Sequence, residues 1–248
     1  MWVAALSAAA GLASADTAGD ESQWRFQLTP YVWAAGMDGR IRPATSLPTV
    51  EVDRSFGELL SNSDGAFFLT GSARKDDWVL LGDFTWSSSS QDGQVPVPSV
   101  PVPLPASGGT EQVSLTLAGG RTLTGDTNAR LDVYAGLRVW SVEGSVSVPA
   151  LGVDASTRER WADPLIGARF NMAIAERVSF TLQGDLGGAE LLGGARSTLQ
   201  LLAVANWNLG ERLYLSAGYR HLSFDYRQDG RVLDIALNGP LLGATWRF

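Results

Sequence analysis

The last stretch of the chain, Arg231 to Phe248, constrains the fold more than any other. From Pro240 onward one side of this stretch is apolar throughout, carrying Pro240, Leu242, Ala244, Trp246 and Phe248. Leu241, Thr245, Arg247 and two glycines, Gly239 and Gly243, share the other side. A period of two is that of a β-strand, whose successive side chains point to opposite faces. The stretch predicts a strand with one face suited to lipid, although the edge strand of a soluble β-sandwich would alternate in the same way.

The chain terminus also carries a recognisable pattern. The final aromatic Phe248, the aromatic Trp246 two places earlier and Gly243 resemble the C-terminal insertion signal of bacterial outer-membrane β-barrels. Leu241 departs from it, since a polar residue is more usual at that position. The resemblance implies a location in the bacterial outer membrane, contact with outer-membrane lipid and lipopolysaccharide, and recognition of the last strand by the barrel-assembly machinery.

Similar alternation recurs along the chain. It predicts strands over residues 24–35, 66–74, 78–87, 111–121, 130–140, 161–173, 178–186, 197–207, 213–224 and 231–248. An even number suits a single-chain bacterial barrel whose termini both lie in the periplasm. The predicted fold is therefore all-β, a closed antiparallel up-and-down transmembrane β-barrel of about ten strands, with eight or twelve as alternatives.

Loop lengths and tryptophans predict the orientation of the barrel. Connections at 75–77, 124–127, 176–177 and 209–212 are short, whereas those at 37–63, 91–109, 144–160 and 187–195 are long. Short periplasmic turns and long extracellular loops are the usual asymmetry. The lipid-phase tryptophans at the short-turn ends, Trp24, Trp78, Trp207 and Trp246, fit an interfacial aromatic girdle. A soluble sandwich predicts no such sorting.

Composition limits the other classes of function. The chain has 248 residues, no cysteine and a formal charge of -7, so nothing basic recruits nucleic acid. No internal apolar run approaches the ~20 residues that a spanning helix needs. Residues 1–15 are apolar and small and end in Ala13-Ser14-Ala15, which predicts a signal peptide ahead of a single barrel domain, residues 16–248.

The opening of that domain carries a second resemblance. Trp24, Pro30-Tyr31, Trp33, Gly36 and Gly39 have the spacing W-x5-PY-x-W-x2-G-x2-G. With Val52, Asp53, Ser55, Phe56, Glu58, Leu59 and Leu60 downstream, the segment is similar to an uncharacterised proteobacterial group of outer-membrane barrel proteins. The resemblance implies a fold and a location, and it implies no activity.

Three of the long connections carry further signals. Ser55-x-x-Glu58 is a capping box that predicts a short helix burying Phe56, Leu59 and Leu60, within a loop or lid. Residues 94–109 are proline-rich and predict a long exposed loop. Residues 144–160 are expected to extend their neighbouring strands as a hairpin above the membrane.

Charged residues in the inward phase are the main candidate site. In a narrow lumen they are expected to pair across the barrel, forming either a structural polar core or a selective path for small solutes. They are Arg25, Arg74, Asp83, Arg130, Asp132, Arg138, Asp163, Arg169, Asp185, Arg220 and Arg247.

Two further sites define alternative functions. Four inward-phase aromatic residues near the outer mouth predict either packing under the loops or a vestibule for an apolar or sugar ligand: Tyr31, Trp33, Trp140 and Trp161. His221 and Ser223, two apart in the outward phase, resemble the His and Ser of lipid A deacylase barrels, with Asp225 or Asp234 required as the orienting acid. No phosphate loop or metal-ligand spacing is present, so no cofactor or metal is predicted. The favoured function is a non-enzymatic outer-membrane barrel with a structural or surface role or narrow passage of small solutes.

Overall fold

The computed structural model describes residues 23–42, 49–95, 102–126, 128–188, 190, 194–228 and 230–248. They form one antiparallel sheet with a single short helix, α1 (Phe56–Ser61). The strands are β1 (Arg25–Trp33), β2 (Gly36–Arg42), β3 (Val50–Arg54), β4 (Ser63–Lys75), β5 (Trp78–Val95), β6 (Leu104–Gly125), β7 (Ala129–Val148), β8 (Val153–Ala175), β9 (Val178–Gly188), β10 (Ser197–Asn208), β11 (Leu213–Gln228) and β12 (Arg231–Arg247).

Pairing of the first and last strands closes the sheet into a barrel. Strand β12 pairs with β1 in its second half and with β2 in its first half, so β1 and β2 form one barrel strand interrupted at Ala34 and Ala35. Strand β3 pairs only with β2 and lies outside the closed circle. The result is a ten-stranded closed barrel, which confirms the predicted fold class.

The two ends of the barrel differ as predicted. Short turns join β4 to β5, β6 to β7, β8 to β9 and β10 to β11, and the long connections lie at the other end. At the short-turn, periplasmic end, Phe26 N donates to Phe248 O at 2.8 Å and Phe248 N donates to Phe26 O at 3.1 Å. Closure therefore extends to the last residue.

The polarity of the barrel wall inverts along its height. In the lower part the outward side chains are apolar and exposed, as at Leu117, Ile166 and Leu242, and a ring of such residues forms a belt suited to lipid. Farther up, the outward positions of β11 become polar, while the inward Leu222 and Phe224 are buried. The upper barrel thus has an apolar interior and a polar exterior, as water on the outside requires.

This inversion explains why the structure has a strand where the sequence predicts a loop. Residues 37–63 were predicted as a loop, but β2 continues the alternation with Met37 and Ile41 packed on the core and the polar Asp38 and Arg40 exposed. An apolar exterior is the wrong criterion above the membrane, where the apolar residues turn inward.

The predicted capping box is present, but the helix that it starts is not buried. Ser55 and Glu58 form the predicted capping box at the start of α1, but none of the residues of α1 is buried, so the expected burial of Phe56 and Leu60 is wrong. The helix lies on the rim and makes few contacts with the barrel. The Ser55 hydrogen bonds hold the pKa of the Glu58 carboxyl below its usual range.

Residues 94–109 are also not simply a loop. Strand β5 runs to Val95 and β6 starts at Leu104, with Gln94 opposite Pro105. Pro105 is tolerated because β6 pairs with β7 only as far as Ser107, so few ladder hydrogen bonds are lost at this end. Residues 96–101 lie outside the described residues. The predicted hairpin over 144–160 is confirmed, with a 3₁₀ turn at Pro149–Leu151 between β7 and β8.

Within the described part of the chain, no helix has the length and apolar character needed to cross a bilayer. The predicted signal peptide, residues 1–15, lies outside the described residues.

Candidate functional site

Aromatic side chains fill the upper lumen. We refer to Trp33, Trp140, Trp161, Phe224 and Tyr226 as the aromatic plug, and all five are buried. The ring centroids of Trp140 and Trp161 are 5.8 Å apart, and those of Trp161 and Tyr226 are 4.5 Å apart. Because Trp140 is 0% exposed, the plug packs as a core rather than forming an open vestibule at the outer mouth.

A layer of hydrogen-bonded polar groups lies beneath the plug. Arg220 lies at its centre, donating to Asp83 at 2.9 Å and to Gln200 at 2.6 Å. Gln200 donates in turn to Asp185 at 2.9 Å, and Asp185 accepts from Arg138 at 2.9 Å. Tyr31 completes the layer, which we call the lumen network and define as Tyr31, Asp83, Arg138, Asp185, Gln200 and Arg220.

The lumen network spans the barrel because its members come from β1, β5, β7, β9, β10 and β11. Arg138 and Asp185 are each 1% exposed at the side chain, so this ion pair lies outside bulk water. The guanidinium of Arg220 also lies 4.8 Å from the Trp33 ring centroid, which joins the network to the plug above it. The network and the plug together fill the middle and upper lumen with packed side chains.

Two other inward carboxylates have local partners. Asp132 pairs with Arg74 at 2.5 Å and accepts from Thr122 at 2.8 Å. Asp163 makes no ion pair among the described residues. It instead accepts from Trp161 Nε1 at 3.0 Å and from the backbone N of Ala195 at 2.7 Å. Asp163 therefore ties the segment after β9 to the aromatic plug.

The lower lumen is an open cavity of about 780 Å³. Its upper boundary includes Asp83, Asp185 and Arg220, and its lower boundary includes periplasmic-end residues such as Asp126 and Arg212. Arg25, Arg74, Arg130, Arg169 and Arg247 all line it. Arg247 donates to Tyr214 at 2.6 Å and stacks on its ring, with 3.8 Å between the guanidinium carbon and the ring centroid. The cavity is therefore closed above and open towards the periplasmic end.

The outward pair His221 and Ser223 lies where the wall changes from apolar to polar. His221 Nδ1 is 2.5 Å from Asn238 Oδ1, and Asn238 donates to Asp38 at 3.0 Å. Asp225 and Asp234, the two predicted orienting acids, pair instead with Arg227 and Arg40. No hydrogen bond joins His221 to Ser223 in the part of the chain that the structure describes.

The lumen network also has uncharged participants, which a prediction based on charged residues does not include. Gln200, Tyr134 and Thr116 all lie in the inward phase and all bind members of the lumen network. A polar residue at an inward position was the available signal. Asn238 is different: its contact with His221 depends on the register of β11 against β12, which alternation alone does not reveal.

Structural comparison identifies the fold. The chain is similar to the translocator domain of the autotransporter NalP from Neisseria meningitidis, with a TM-score of 0.52 and 14% identity, over 91% of this chain and 88% of that one. It is also similar to the outer membrane protease OmpT from Escherichia coli, with a TM-score of 0.53 and 10% identity, over 94% of this chain and 99% of that one. No protein-family model and no curated protein matches the sequence.

At such low identity the likeness establishes the fold alone, that of an outer-membrane β-barrel. The apolar belt is a separate observation, made on this chain itself. The fold and the belt together support the predicted location in the bacterial outer membrane.

Proposed function

We propose that this protein is a non-enzymatic, non-conducting outer-membrane barrel with a structural and surface role. The observation that carries the proposal is the aromatic plug, whose buried rings occupy the upper lumen. A solute path requires a continuous water column, and the buried side chains of the plug and of the lumen network beneath it support the absence of one. The narrow passage considered from the sequence is therefore the weaker alternative.

The surface role is supported by strands that continue beyond the lipid belt. Strands β5 and β6 stay paired as far as Val95 and Leu104, and β7 and β8 stay paired as far as Val148 and Val153. These rows extend past Trp86 and Val139, the uppermost apolar outward residues of β5 and β7. A paired four-stranded sheet presents a fixed surface to the outside, unlike a set of flexible loops.

Planar-bilayer recording tests the non-conducting state. The purified barrel is first shown to be folded by its heat-dependent migration on gels and to be inserted by co-flotation with liposomes. We expect no conductance steps above those of protein-free bilayers. Regular steps from folded, inserted wild-type protein would remove the proposal.

Epitope accessibility tests the surface role. A tag inserted between Pro98 and Ser99 is expected to bind antibody on intact cells. The matched control is the same tag in the Glu176–Arg177 turn, which is expected to bind only after the outer membrane is opened. Labelling of the Pro98 tag only in opened cells, with the Glu176 tag labelled on intact cells, would show the opposite orientation and would argue against a surface role for these strands.

A second candidate, a membrane-facing lipid hydrolase, is favoured by the contact between His221 and Asn238. If His221 Nδ1 donates to Asn238, Nε2 is left as the acceptor that a general base requires. Ser223 lies two residues along on the same face. Mass spectrometry of lipid A from cells expressing wild type or His221→Ala decides the matter, since an unchanged acyl number in both would end this candidate.

A further inference from the structure

Arginines are concentrated in the lower cavity beyond the available carboxylates. Five of the residues that line it, contributed by β1, β4, β7, β8 and β12, are Arg25, Arg74, Arg130, Arg169 and Arg247. Asp132 is already paired with Arg74 at 2.5 Å. None of the other four arginines forms an ion pair with a described residue.

The acids near the mouth of the cavity do not offset this surplus. Asp126 Oδ1 accepts from the backbone N atoms of Asn128 at 2.7 Å and Ala129 at 2.8 Å, so it is engaged in holding its own turn. Glu211 is exposed in the turn before β11. Asp83 and Asp185, at the closed end, are held by Arg220 and Arg138.

The surplus arginines also act on one another. The charges of Arg74, Arg25 and Arg247 oppose that of Arg130, whereas the charge of Asp132 favours it. The Nε atoms of Arg130, Arg169 and Arg247 are enclosed and have no hydrogen-bond acceptor among the described residues. Enclosed donors without acceptors and unbalanced like charges are unfavourable for folding unless something anionic joins them.

We propose that the lower cavity binds a small anion carrying several carboxylate or phosphate oxygens, which reaches it from the periplasmic side. Guanidinium groups suit both oxygen types because they donate in a planar, bidentate geometry. The volume of about 780 Å³ is within the range of small-molecule sites. The lumen network closes the upper end, so the anion enters and leaves by the same mouth.

Calorimetric titration of the folded, full-length barrel in detergent tests the proposal. Inorganic pyrophosphate and citrate serve as separate probes for phosphate and carboxylate, at about 20 mM salt because screening weakens such contacts. We expect saturable binding of at least one probe, weakened at least tenfold in Arg130→Gln/Arg169→Gln. The matched control, Arg121→Gln/Arg196→Gln, removes two exposed arginines outside the lumen and should bind as wild type does.

A second readout separates binding from a merely structural role. If the surplus arginines serve a ligand, Arg130→Gln/Arg169→Gln relieves repulsion, so its melting temperature without anion should equal or exceed that of wild type. If they hold the barrel together, it should fall. Should this variant fail to fold, Arg25→Gln/Arg247→Gln replaces it. Absence of saturable binding with both probes, equal affinity in wild type and the lumen variant, or a lowered melting temperature in both lumen variants would overturn the proposal.

Discussion

The buried pair Arg138 and Asp185 gives the sharpest test of the lumen network, because its two members have unequal remaining partners. If Arg138 is replaced by methionine, Asp185 keeps the hydrogen bond from Gln200 at 2.9 Å and a weak contact with Tyr134 at 3.5 Å. If Asp185 is replaced by leucine, Arg138 keeps only Thr116 at 2.9 Å, and its Nη1 atom already has no acceptor among the described residues. The two single replacements should therefore differ in their effect on stability.

The magnitudes follow from the burial of the pair. Removing one member of a buried ion pair costs about 3–5 kcal/mol, because the other charge is left without a partner. We expect Arg138→Met to lower the free energy of unfolding by about 3 kcal/mol and Asp185→Leu by about 5 kcal/mol. The double variant buries no unpaired charge here, so it should lose only about 2 kcal/mol, for the hydrogen bonds to Thr116 and Gln200.

Urea unfolding in lipid vesicles, followed by tryptophan fluorescence, measures all four proteins of this double-mutant cycle. The three expected losses correspond to a coupling energy of about 6 kcal/mol between Arg138 and Asp185. Equal losses for the two single variants would show that the remaining partners of Asp185 are not those in the structure. A double variant as unstable as the sum of the singles would show that the pair does not form.

Three other predictions concern the wall, the closure and the rim of the barrel. Gly167→Ala places a Cβ within 2.5 Å of Gly184 O and of the Tyr134 ring, so it should lose about 1–3 kcal/mol in the same unfolding assay, whereas Gly144→Ala, with nothing within 4 Å, should be neutral. Deleting Phe248 removes both backbone hydrogen bonds to Phe26 and the terminal aromatic residue. The fraction of heat-modifiable barrel in outer-membrane preparations should therefore fall, whereas in Phe248→Tyr it should equal that of wild type. Ser55→Ala should lower hydrogen-exchange protection across α1 at neutral pH, because it removes the capping box. In wild type this protection should be complete above the usual carboxyl pKa and should decline as the pH falls through the lowered pKa of Glu58.

Alternation predicted the membrane part of this barrel well. In the belt, lipid outside and a polar lumen inside leave a regular two-residue period, and β9, β10 and β12 follow the predicted ranges closely. Interfacial tryptophans such as Trp78 and Trp207 are exposed at the periplasmic strand ends, where the sequence placed them. The apolar outer face is a direct consequence of the solvent, so sequence alone reveals it.

The upper barrel was less predictable because its faces exchange roles. The exposed side of β2 carries Asp38 and Arg40, so an apolar-exterior pattern does not reveal it as a strand. The sequence pattern also does not group Phe224 and Tyr226 with the plug tryptophans, because the five rings come from strands distant in the chain. Partner choice within the lumen network depends on which strands lie opposite one another in the closed barrel. A single-strand pattern does not contain that information.

The arginine surplus is not a necessary consequence of a polar lumen, since the same barrel contains a neutral solution to the same problem. Side chains around the other side of the lower lumen form a hydrogen-bonded chain without a single charge. It runs through Asn171, Thr181, Asn206, Ser216, Thr245 and Thr29.

Each neighbouring pair in this neutral chain lies within 3.3 Å, so neutral groups satisfy a polar wall at this depth. Arg25, Arg130 and Arg169 have no comparable partners among the described residues, and Arg247 has only Tyr214. The charges of Arg74, Arg25 and Arg247 oppose that of Arg130. Folding therefore accounts for the neutral chain and for the paired Arg74, Arg138 and Arg220, but it leaves Arg25, Arg130, Arg169 and Arg247 without a carboxylate partner among the described residues. Because these four lie at the end of the lumen that opens to the periplasm, a soluble anion can reach all of them without crossing the aromatic plug.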